Sequence, residues 1–236
     1  MKAKVLKRIL IILASVITIL IIVIGVFAIK GAVMWNDAKE KNPIEQAAAQ
    51  MRSDENFVRY DDLPEFYIKA VISTEDRKFE KHGGVRLSSI MRALLYDVRT
   101  LSFEQGGSTI TQQLAKNLWF TQEKRIERKF AELYAAFALE KALSKREIFE
   151  LYVNSIFFGS GYYGVSDAAR GYFNKDVSEL SDYECAMLAG IPNAPSAYSP
   201  DASPELARQR LALVLDSMKD NGVLTDEQVE SVMADA

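Results

Sequence analysis

An uncharged stretch near the amino terminus constrains this chain of 236 residues more than any other feature. Residues 9–29 carry no charged side chain, and a helix that rises about 1.5 Å per residue over that length crosses a hydrocarbon core of roughly 30 Å. The alternative is a cleaved signal peptide, whose apolar region covers only about 7 to 15 residues before a small-residue cleavage site. GVFAIKGAV matches such a site poorly. We therefore predict an uncleaved, single-pass transmembrane helix at 9–29.

The charges on either side of this segment predict its orientation. Four basic residues and no acidic ones precede it, whereas acidic residues dilute the basic ones that follow. The positive-inside rule then places residues 1–8 in the cytoplasm as a tail and the rest of the chain outside the cytoplasmic membrane. Beyond residue 30 the chain has 24 basic and 32 acidic residues, a formal charge of −8. A net-acidic domain argues against nucleic acid as a partner, because such binding depends on a basic face.

Helix-start signals recur along the rest of the chain. Thr109, Ser144 and Ser181 are each followed three residues later by Gln or Glu, which predicts three capping boxes. Pro204 is expected to open a long helix that ends at Asn221-Gly222, and Thr225 to start a last one. No segment alternates with period two over any length. We predict a mostly α domain at 57–236, after a linker or membrane-proximal segment at 30–56.

Other helices are predicted from caps and periodicity. Asp61 or Asp62 is expected to cap a helix that has Pro64 in its first turn and runs toward Glu75 and His82. Ser88–Val98 is expected to continue with apolar residues at helical spacing until SFEQGG breaks it. From residue 126, apolar residues recur at i, +4, +7, +8, +11 and +12, which predicts a helix with one apolar stripe. The stripe consists of Ile126, Phe130, Leu133, Tyr134, Phe137 and Ala138. GSGYYG is predicted to be a loop and NAPSAYSP a turn.

The single cysteine and the single histidine limit the chemistry. Cys185 has no partner for an intrachain disulfide, and its apolar surroundings predict a buried small hydrophobe. One cysteine and one histidine cannot supply a zinc site of the usual nitrogen and sulfur kind. His82 could orient a neighbouring group or cap the end of its helix, and we favour the structural role.

A carboxylate and a cation cluster are the candidates for catalysis. Glu75, in EDRKFEKHGG, can act as a base for a sugar hydroxyl if it faces a cleft, but with Asp76 and Arg77 it could equally be solvated helix-end charge. The basic residues that follow suit a diphosphate leaving group, whose charge must be neutralised. They are Lys116, Lys124, Arg125, Arg128 and Lys129. The alternative is an ordinary solvated face with an Arg128–Glu132 pair worth about 0.2 to 0.5 kcal/mol.

The stretch GGSTITQQLAKN at 106–117 also has two interpretations. Gly106 and Gly107 before a capped helix present backbone N–H groups that suit an anion. A glycine pair before a cap is equally common as helix punctuation without any ligand. The stretch is not the phosphate loop of nucleotide hydrolases, because the Gly-Lys-Ser/Thr ending is missing.

Four sequence blocks together resemble one known family. EDRKFEKHGG, GGSTITQQLAKN, RKFAE and KREIFELYVNSIFFGSGYYG are similar, in order and approximate spacing, to the signature blocks of the peptidoglycan glycosyltransferases, glycosyltransferase family fifty-one. The resemblance covers about residues 57–200. It implies a lysozyme-like, mostly helical fold with a hydrophobic, membrane-associated surface. It also implies polymerisation of lipid II into β-1,4-linked glycan strands by an inverting displacement, with release of undecaprenyl diphosphate.

The resemblance also assigns roles to individual residues. Glu75 matches the base for the acceptor 4-hydroxyl, and Glu132 matches a second essential glutamate near the donor diphosphate and its metal, a divalent cation such as Mg²⁺. The basic positions that hold the diphosphate are matched by Lys116, Arg128, Lys129 and, more weakly, Lys124. Polar positions that line the cleft are matched by Ser108, Gln112 and Gln113. The implied partners are lipid II, the growing glycan strand and other cell-wall synthesis proteins.

Two other function classes remain open. A lysozyme-like hydrolase or lytic transglycosylase would use a similar helical domain and a glutamate acid, but needs no diphosphate site. A non-catalytic membrane scaffold could keep the fold, although Glu75 and Glu132 would then be unexplained. Bifunctional relatives carry a transpeptidase domain with Ser-x-x-Lys, SxN and KTG motifs, which this sequence does not show convincingly. If 236 residues are the native length, we expect a monofunctional enzyme.

Overall fold

A computed structural model describes residues 2–86, 107–121, 123 and 125–234. The predicted helix at Ser88–Val98, Gly106 and Lys124 lie outside these residues. The described part is mostly α, as predicted. Its first two helices are α1, Lys2–Lys41, and α2, Ile44–Arg52. Residues 30–56, expected as a linker or a membrane-proximal segment, are therefore largely helical.

Nine further helices follow in the described part of the chain. They are α3, Glu65–Glu75; α4, Ile110–Trp119; α5, Ile126–Ala142; α6, Lys145–Ser155; α7, Val165–Phe173; α8, Asp182–Gly190; α9, Pro195–Tyr198; α10, Pro204–Asp220; and α11, Asp226–Ala234. Short 3₁₀ turns occur at Tyr60–Asp62, Phe79–Lys81, Val177–Glu179 and Ile191–Asn193.

The amino-terminal helix has the properties of a membrane span. Its most apolar window has a mean hydropathy of 3.3 and is 0% buried inside the protein. A core helix of a soluble protein would be covered by neighbouring helices, whereas here the side chains of residues 9–22 are all exposed. The finding fits a single-pass membrane protein.

The three predicted capping boxes are confirmed. At each one, the side chain of Thr109, Ser144 or Ser181 accepts from the backbone N–H three residues later, and the Gln or Glu there accepts from the cap. Ser203 caps α10, with Pro204 in its first position. Thr225 accepts from the backbone N–H of Gln228 and starts α11.

The predicted start of α3 was wrong, and the helix reaches Glu75 but does not continue to His82. Asp61 and Asp62 lie in a 3₁₀ turn, and the helix begins after Pro64 because a residue before proline is driven out of the helical region. Leu63 is accordingly extended, with ψ 135°. The helix ends at Glu75, well before His82, because Asp76 leaves the helical region with φ −155° and ψ 74°.

Two groups of helices form the hydrophobic core. Helix α8 packs against both α3 and α10, and α4 packs against both α5 and α6. The largest side chains buried in this core are aromatic or aliphatic, and include Tyr67, Phe79, Phe149, Tyr152 and Leu188. Helix α1 continues past the predicted span and packs along α5.

Helix α5 confirms the predicted periodicity, but its apolar stripe does not face the core. Ile126, Tyr134 and Phe137 are 57%, 37% and 54% exposed. The buried face consists of small or aliphatic residues together with Arg128 and Glu132. These two charged residues are therefore buried instead of forming part of a solvated face.

The predicted GSGYYG loop is a tight turn. Phe157 and Tyr163 form an isolated antiparallel bridge across it. Gly159, Ser160 and Gly161 all have positive φ, a region that favours glycine. The predicted NAPSAYSP turn contains the short helix α9.

Candidate active site

Glu75 lies at the carboxyl end of α3 and is held by a residue of α4. Gln113 Nε2 donates to Glu75 Oε2 at 2.6 Å. Tyr152 Oη, from α6, donates to Gln113 Oε1 at 3.3 Å. The tyrosine contact orients the amide so that its nitrogen points to the carboxylate. Glu75 is thus a positioned side chain rather than solvated helix-end charge.

The surroundings of Glu75 favour its protonated form. Burial raises the pKa of the Glu75 carboxyl, while the Gln113 hydrogen bond and then the Arg210 guanidinium oppose the shift. Desolvation disfavours the charged form of any carboxyl group. A base with a raised pKa holds an abstracted proton more firmly, which suits proton transfer from a hydroxyl.

Lys116 lies one turn after Gln113 on the same helix and is partly buried. Burial lowers the pKa of its ammonium group, and Lys129 and Arg128 lower it further, against the opposing effects of Glu132 and Glu75. Lys116 is therefore within electrostatic range of both candidate carboxylates. The structure thus brings Lys116 close enough to Glu75 and Glu132 for each carboxylate to affect its pKa.

Glu132 is buried on α5 between two cations. Lys129 Nζ lies 2.7 Å from Oε2, and Arg128 Nη1 lies 3.0 Å from Oε1. Arg128 Nη1 also donates to the Thr121 carbonyl at 3.1 Å. Glu132 is only 1% exposed, so the predicted Arg128–Glu132 pair is not a solvated surface pair.

Two polar atoms of this pair lack hydrogen bonds within the described part of the chain. They are Glu132 Oε1, which Arg128 approaches without hydrogen-bond geometry, and Arg128 Nε. Buried polar atoms are nearly always satisfied in folded proteins, and a catalytic role or a bound ion is one explanation for an exception. The pair therefore has capacity for a further polar group.

A groove of about 960 Å³ opens beside α4. Gln113 and Lys116 line one wall, and residues of α2, the end of α6 and the following residues 156–157 line others. Lys116 is the one basic residue that lines it in the described part of the chain. Glu75 reaches the groove through Gln113. Of the candidate residues, Gln113 and Lys116 thus line the groove directly, and Glu75 is connected to it by its hydrogen bond with Gln113.

The remaining predicted site residues differ in placement. Ser108 is partly buried and directly precedes the cap of α4. Gln112 is 5% exposed and bound within the capping box, so the structure places it away from the groove wall on which it was expected. Lys124 is outside the described residues.

The hydrogen bonds at the start of α4 favour a helix cap without a ligand over an anion-binding site. The N–H of Ile110 donates to Asp76 Oδ2 at 3.3 Å, and the N–H groups of Thr109 and Gln112 are occupied within the capping box. Thr109 Oγ1 additionally donates to the Gly84 carbonyl at 2.6 Å. These donors have partners in the protein already.

Asp76 is an organising residue that sequence reasoning missed. Its carboxylate lies 2.7 Å from His82 Nε2 and 3.2 Å from Arg86 Nη1, in addition to the Ile110 N–H. The Gly84 N–H donates to His82 Nδ1 at 3.1 Å, so the ring proton is on Nε2. His82 therefore binds a neighbouring carboxylate, which is one of the two roles considered for it and not the favoured one of capping the end of its helix. The adjacent Glu-Asp pair was the available signal for Asp76.

Arg210 is the other residue that was missed. It comes from α10, donates from Nε to the Gly190 carbonyl at 3.2 Å and acts electrostatically on Glu75. No spacing pattern connects residue 210 with residue 75, because only the packing of α10 on α3 brings them together.

Comparison with known proteins shows the family of this chain. The model of the Transglycosylase family matches residues 40–219. The chain belongs to the transglycosylase family. The match begins in α1 and includes every candidate site residue.

Similar proteins include longer members of the same kind. Penicillin-binding protein 1A of Aquifex aeolicus is 48% identical over 177 residues, which are 75% of this chain and 24% of that protein. Penicillin-binding protein 1A of Neisseria flavescens is 43% identical over 177 residues, or 75% of this chain and 22% of that protein. This transglycosylase thus spans about a quarter of the relatives it matches. The crystal structure of penicillin-binding protein 1A from Haemophilus influenzae has 25% identity, covers 75% of this chain and 17% of that chain, and has a TM-score of 0.45.

Proposed function

We propose that this transglycosylase polymerises lipid II into β-1,4-linked glycan strands and releases undecaprenyl diphosphate. The observation that carries the proposal is that Lys116 lines the groove and interacts electrostatically both with the hydrogen-bonded Glu75 and with the Arg128–Lys129–Glu132 cluster. A base and a diphosphate site at one groove are the two requirements of this transfer. The catalytic and binding roles of these residues are part of the proposal.

The proposed reaction is a single inverting displacement. Glu75 takes the proton from the acceptor 4-hydroxyl as its oxygen attacks the anomeric carbon of the donor. The bond from that carbon to the diphosphate oxygen breaks, and the electron pair leaves with the diphosphate. Lys116, Arg128 and Lys129 neutralise the charge that develops there, and positioned cations of this kind supply much of the rate when phosphate groups are expelled.

A divalent cation such as Mg²⁺ is part of what the resemblance implies, with Glu132 as its carboxylate. The described residues fit it poorly, because both Glu132 oxygens already face cations. The described residues also contain no group of three acidic, histidine or cysteine side chains that could hold a metal. We therefore assign no step of the reaction to a metal.

The proposed setting is the outer face of the cytoplasmic membrane, with the amino terminus inside. The charge asymmetry around α1 supports this orientation. A substrate held in the outer leaflet by its lipid would then share one surface with the groove.

The test compares two substitutions in the full chain. Glu75→Gln should reduce polymerisation of purified lipid II at least a hundredfold, because a positioned general base contributes about 10² to 10⁴ in rate. It should leave the affinity for undecaprenyl diphosphate within about twofold. Lys116→Ala should weaken both. Equal loss of folded structure in the two variants, seen by circular dichroism, would contradict the assignment.

One observation also favours a second candidate, a glycan hydrolase. A carboxyl group with a raised pKa suits a general acid as well as a base. The two functions are separated by incubation with polymeric glycan and, independently, with lipid II. Shortening of strands without polymerisation would favour the hydrolase.

A further inference from the structure

The membrane helix makes an unusually close contact with the helix that carries Glu132. A Cβ atom at Gly31 of α1 would overlap the Cβ of Phe130 and lie 2.9 Å from both the Ala131 nitrogen and the Glu127 oxygen. Real Cβ atoms essentially never approach backbone atoms this closely. Only glycine therefore allows α1 to pack on α5 at this distance. Small residues at helix crossings have this effect generally.

A second contact connects the same helix to α4. Trp35 of α1 packs edge-on against Trp119, the last residue of α4, with ring centroids 5.1 Å apart. Trp119 Nε1 donates to the Asn42 carbonyl at 2.8 Å, directly after α1 ends. Trp35 is 6% exposed. The contact is thus buried and hydrogen-bonded.

These two contacts lie beside the cations of the site. The backbone that Gly31 touches, from Glu127 to Ala131, includes Arg128 and Lys129 and directly precedes Glu132. Trp119 follows Lys116 by three residues on α4. Helix α1 is unbroken from Lys2 to Lys41, so one rigid element contacts both helices that supply the proposed diphosphate site.

We infer that Gly31 is a positioning residue, through which the membrane helix sets the separation between Lys116 on α4 and the Arg128–Glu132 pair on α5. The membrane helix is then a part of the site's framework as well as an anchor. This inference rests on the proposed function, because it concerns the site assigned there to the diphosphate.

The test uses the full chain in detergent micelles and the matched pair Gly31→Ala and Gly25→Ala. Gly25 is on the same helix and has nothing within 4 Å of an added Cβ. Gly31→Ala should weaken binding of undecaprenyl diphosphate about tenfold or more, because displacements of about 1 Å at a catalytic site have large effects. Gly25→Ala should bind like the wild type.

Tryptophan emission provides a readout of the contact itself. The chain has two tryptophans, and both belong to this contact. Emission of Gly31→Ala should shift to longer wavelength as α1 separates from α4, whereas that of Gly25→Ala should not change. Diphosphate binding at wild-type strength in a Gly31→Ala protein with shifted emission would overturn the inference, as would unchanged emission together with unchanged binding.

A second variant keeps the inference testable if Gly31→Ala does not fold. Trp35→Leu removes the contact with Trp119 without introducing a clash, and should also weaken diphosphate binding while leaving far-ultraviolet circular dichroism unchanged. Wild-type binding in that variant would overturn the inference. Absence of lipid II polymerisation by the wild type, with diphosphate binding still sensitive to Gly31, would refute the proposed function and leave the positioning role standing.

Discussion

The environment of Glu75 shows how one side chain is prepared for proton transfer. Burial pushes the carboxyl toward its neutral form, and the amide of Gln113 pulls it back toward the charged form. The balance of these two effects sets the pH at which the group can accept a proton. Tyr152 takes part by fixing the amide in the orientation that donates to the carboxylate.

Replacement of Gln113 should therefore change the pH dependence of the reaction. The hydrogen bond from Gln113 lowers the pKa of Glu75, so Gln113→Leu should raise that pKa further above its usual range. In the proposed mechanism the ionised carboxylate is the active base. The acid limb of the kcat/KM profile for lipid II should accordingly move to higher pH.

The matched control for this prediction is Gln46→Leu, at an exposed position on α2. Its profile should superimpose on that of the wild type. An acid limb that stays in place in Gln113→Leu would mean that Glu75 is not the group whose ionisation limits the rate.

Residues in contiguous motifs could be predicted from the sequence, and those assembled by packing could not. Glu75, Lys116 and Glu132 lie in blocks that resemble a known family, and the structure brings them together. Arg210 acts on Glu75 from a helix 135 positions further along the chain. Such roles depend on which helix faces which neighbour, and no local pattern encodes that.

At the scale of helices, the sequence predicted where helices start better than it predicted which of their faces are buried. A capping box needs only two residues three positions apart, so all three boxes were found from sequence. The apolar stripe on α5 was also predicted, but its exposure was not. Periodicity shows which residues share a face of a helix, and it does not show whether other elements cover that face. Small residues such as Ala131 and Ala135 form the buried side instead.

The cap of α4 should affect both stability and the site. Thr109→Ala removes the cap acceptor and the hydrogen bond to Gly84. Loss of a cap costs about 0.5 to 2 kcal/mol of unfolding free energy. Because Gln113 and Lys116 lie on this helix, polymerisation should fall as well, and Thr109→Ser should restore both.

Thr225→Ala is the control for Thr109→Ala. Thr225 caps α11, which carries none of the proposed site residues. Chemical unfolding should show a loss of similar size in that variant, while polymerisation stays at the wild-type rate. An active Thr109→Ala protein would show that the start of α4 does not position the site.

In the whole molecule, the outward face of α5 lies next to the membrane helix. Ile126, Tyr134 and Phe137 are exposed on this face, and α1 packs along the same helix. Ile29 and Val33 of α1 are 68% and 55% exposed close to the end of the predicted span. Exposed apolar surface close to the end of the predicted membrane span is suited to contact with the bilayer.

We therefore expect Phe137→Ser to act only when a bilayer is present. Polymerisation on lipid vesicles should fall several-fold, because burial of one aromatic side chain contributes about 1.5 to 3 kcal/mol. The rate in detergent micelles should not change. Leu213→Ser, which removes a side chain of similar exposure from α10 (53% against 54%), should have no effect in either setting.

The unbroken α1 has a consequence for how the protein meets its substrates. A domain joined to its membrane helix by a flexible linker would rotate freely above the membrane, so that each encounter with a substrate would have to sample every orientation. A domain packed along a continuous helix keeps one side facing the lipid, so that only rotation about the helix axis remains to be sampled. Part of the entropy of alignment is then lost once, at insertion, instead of at every turnover.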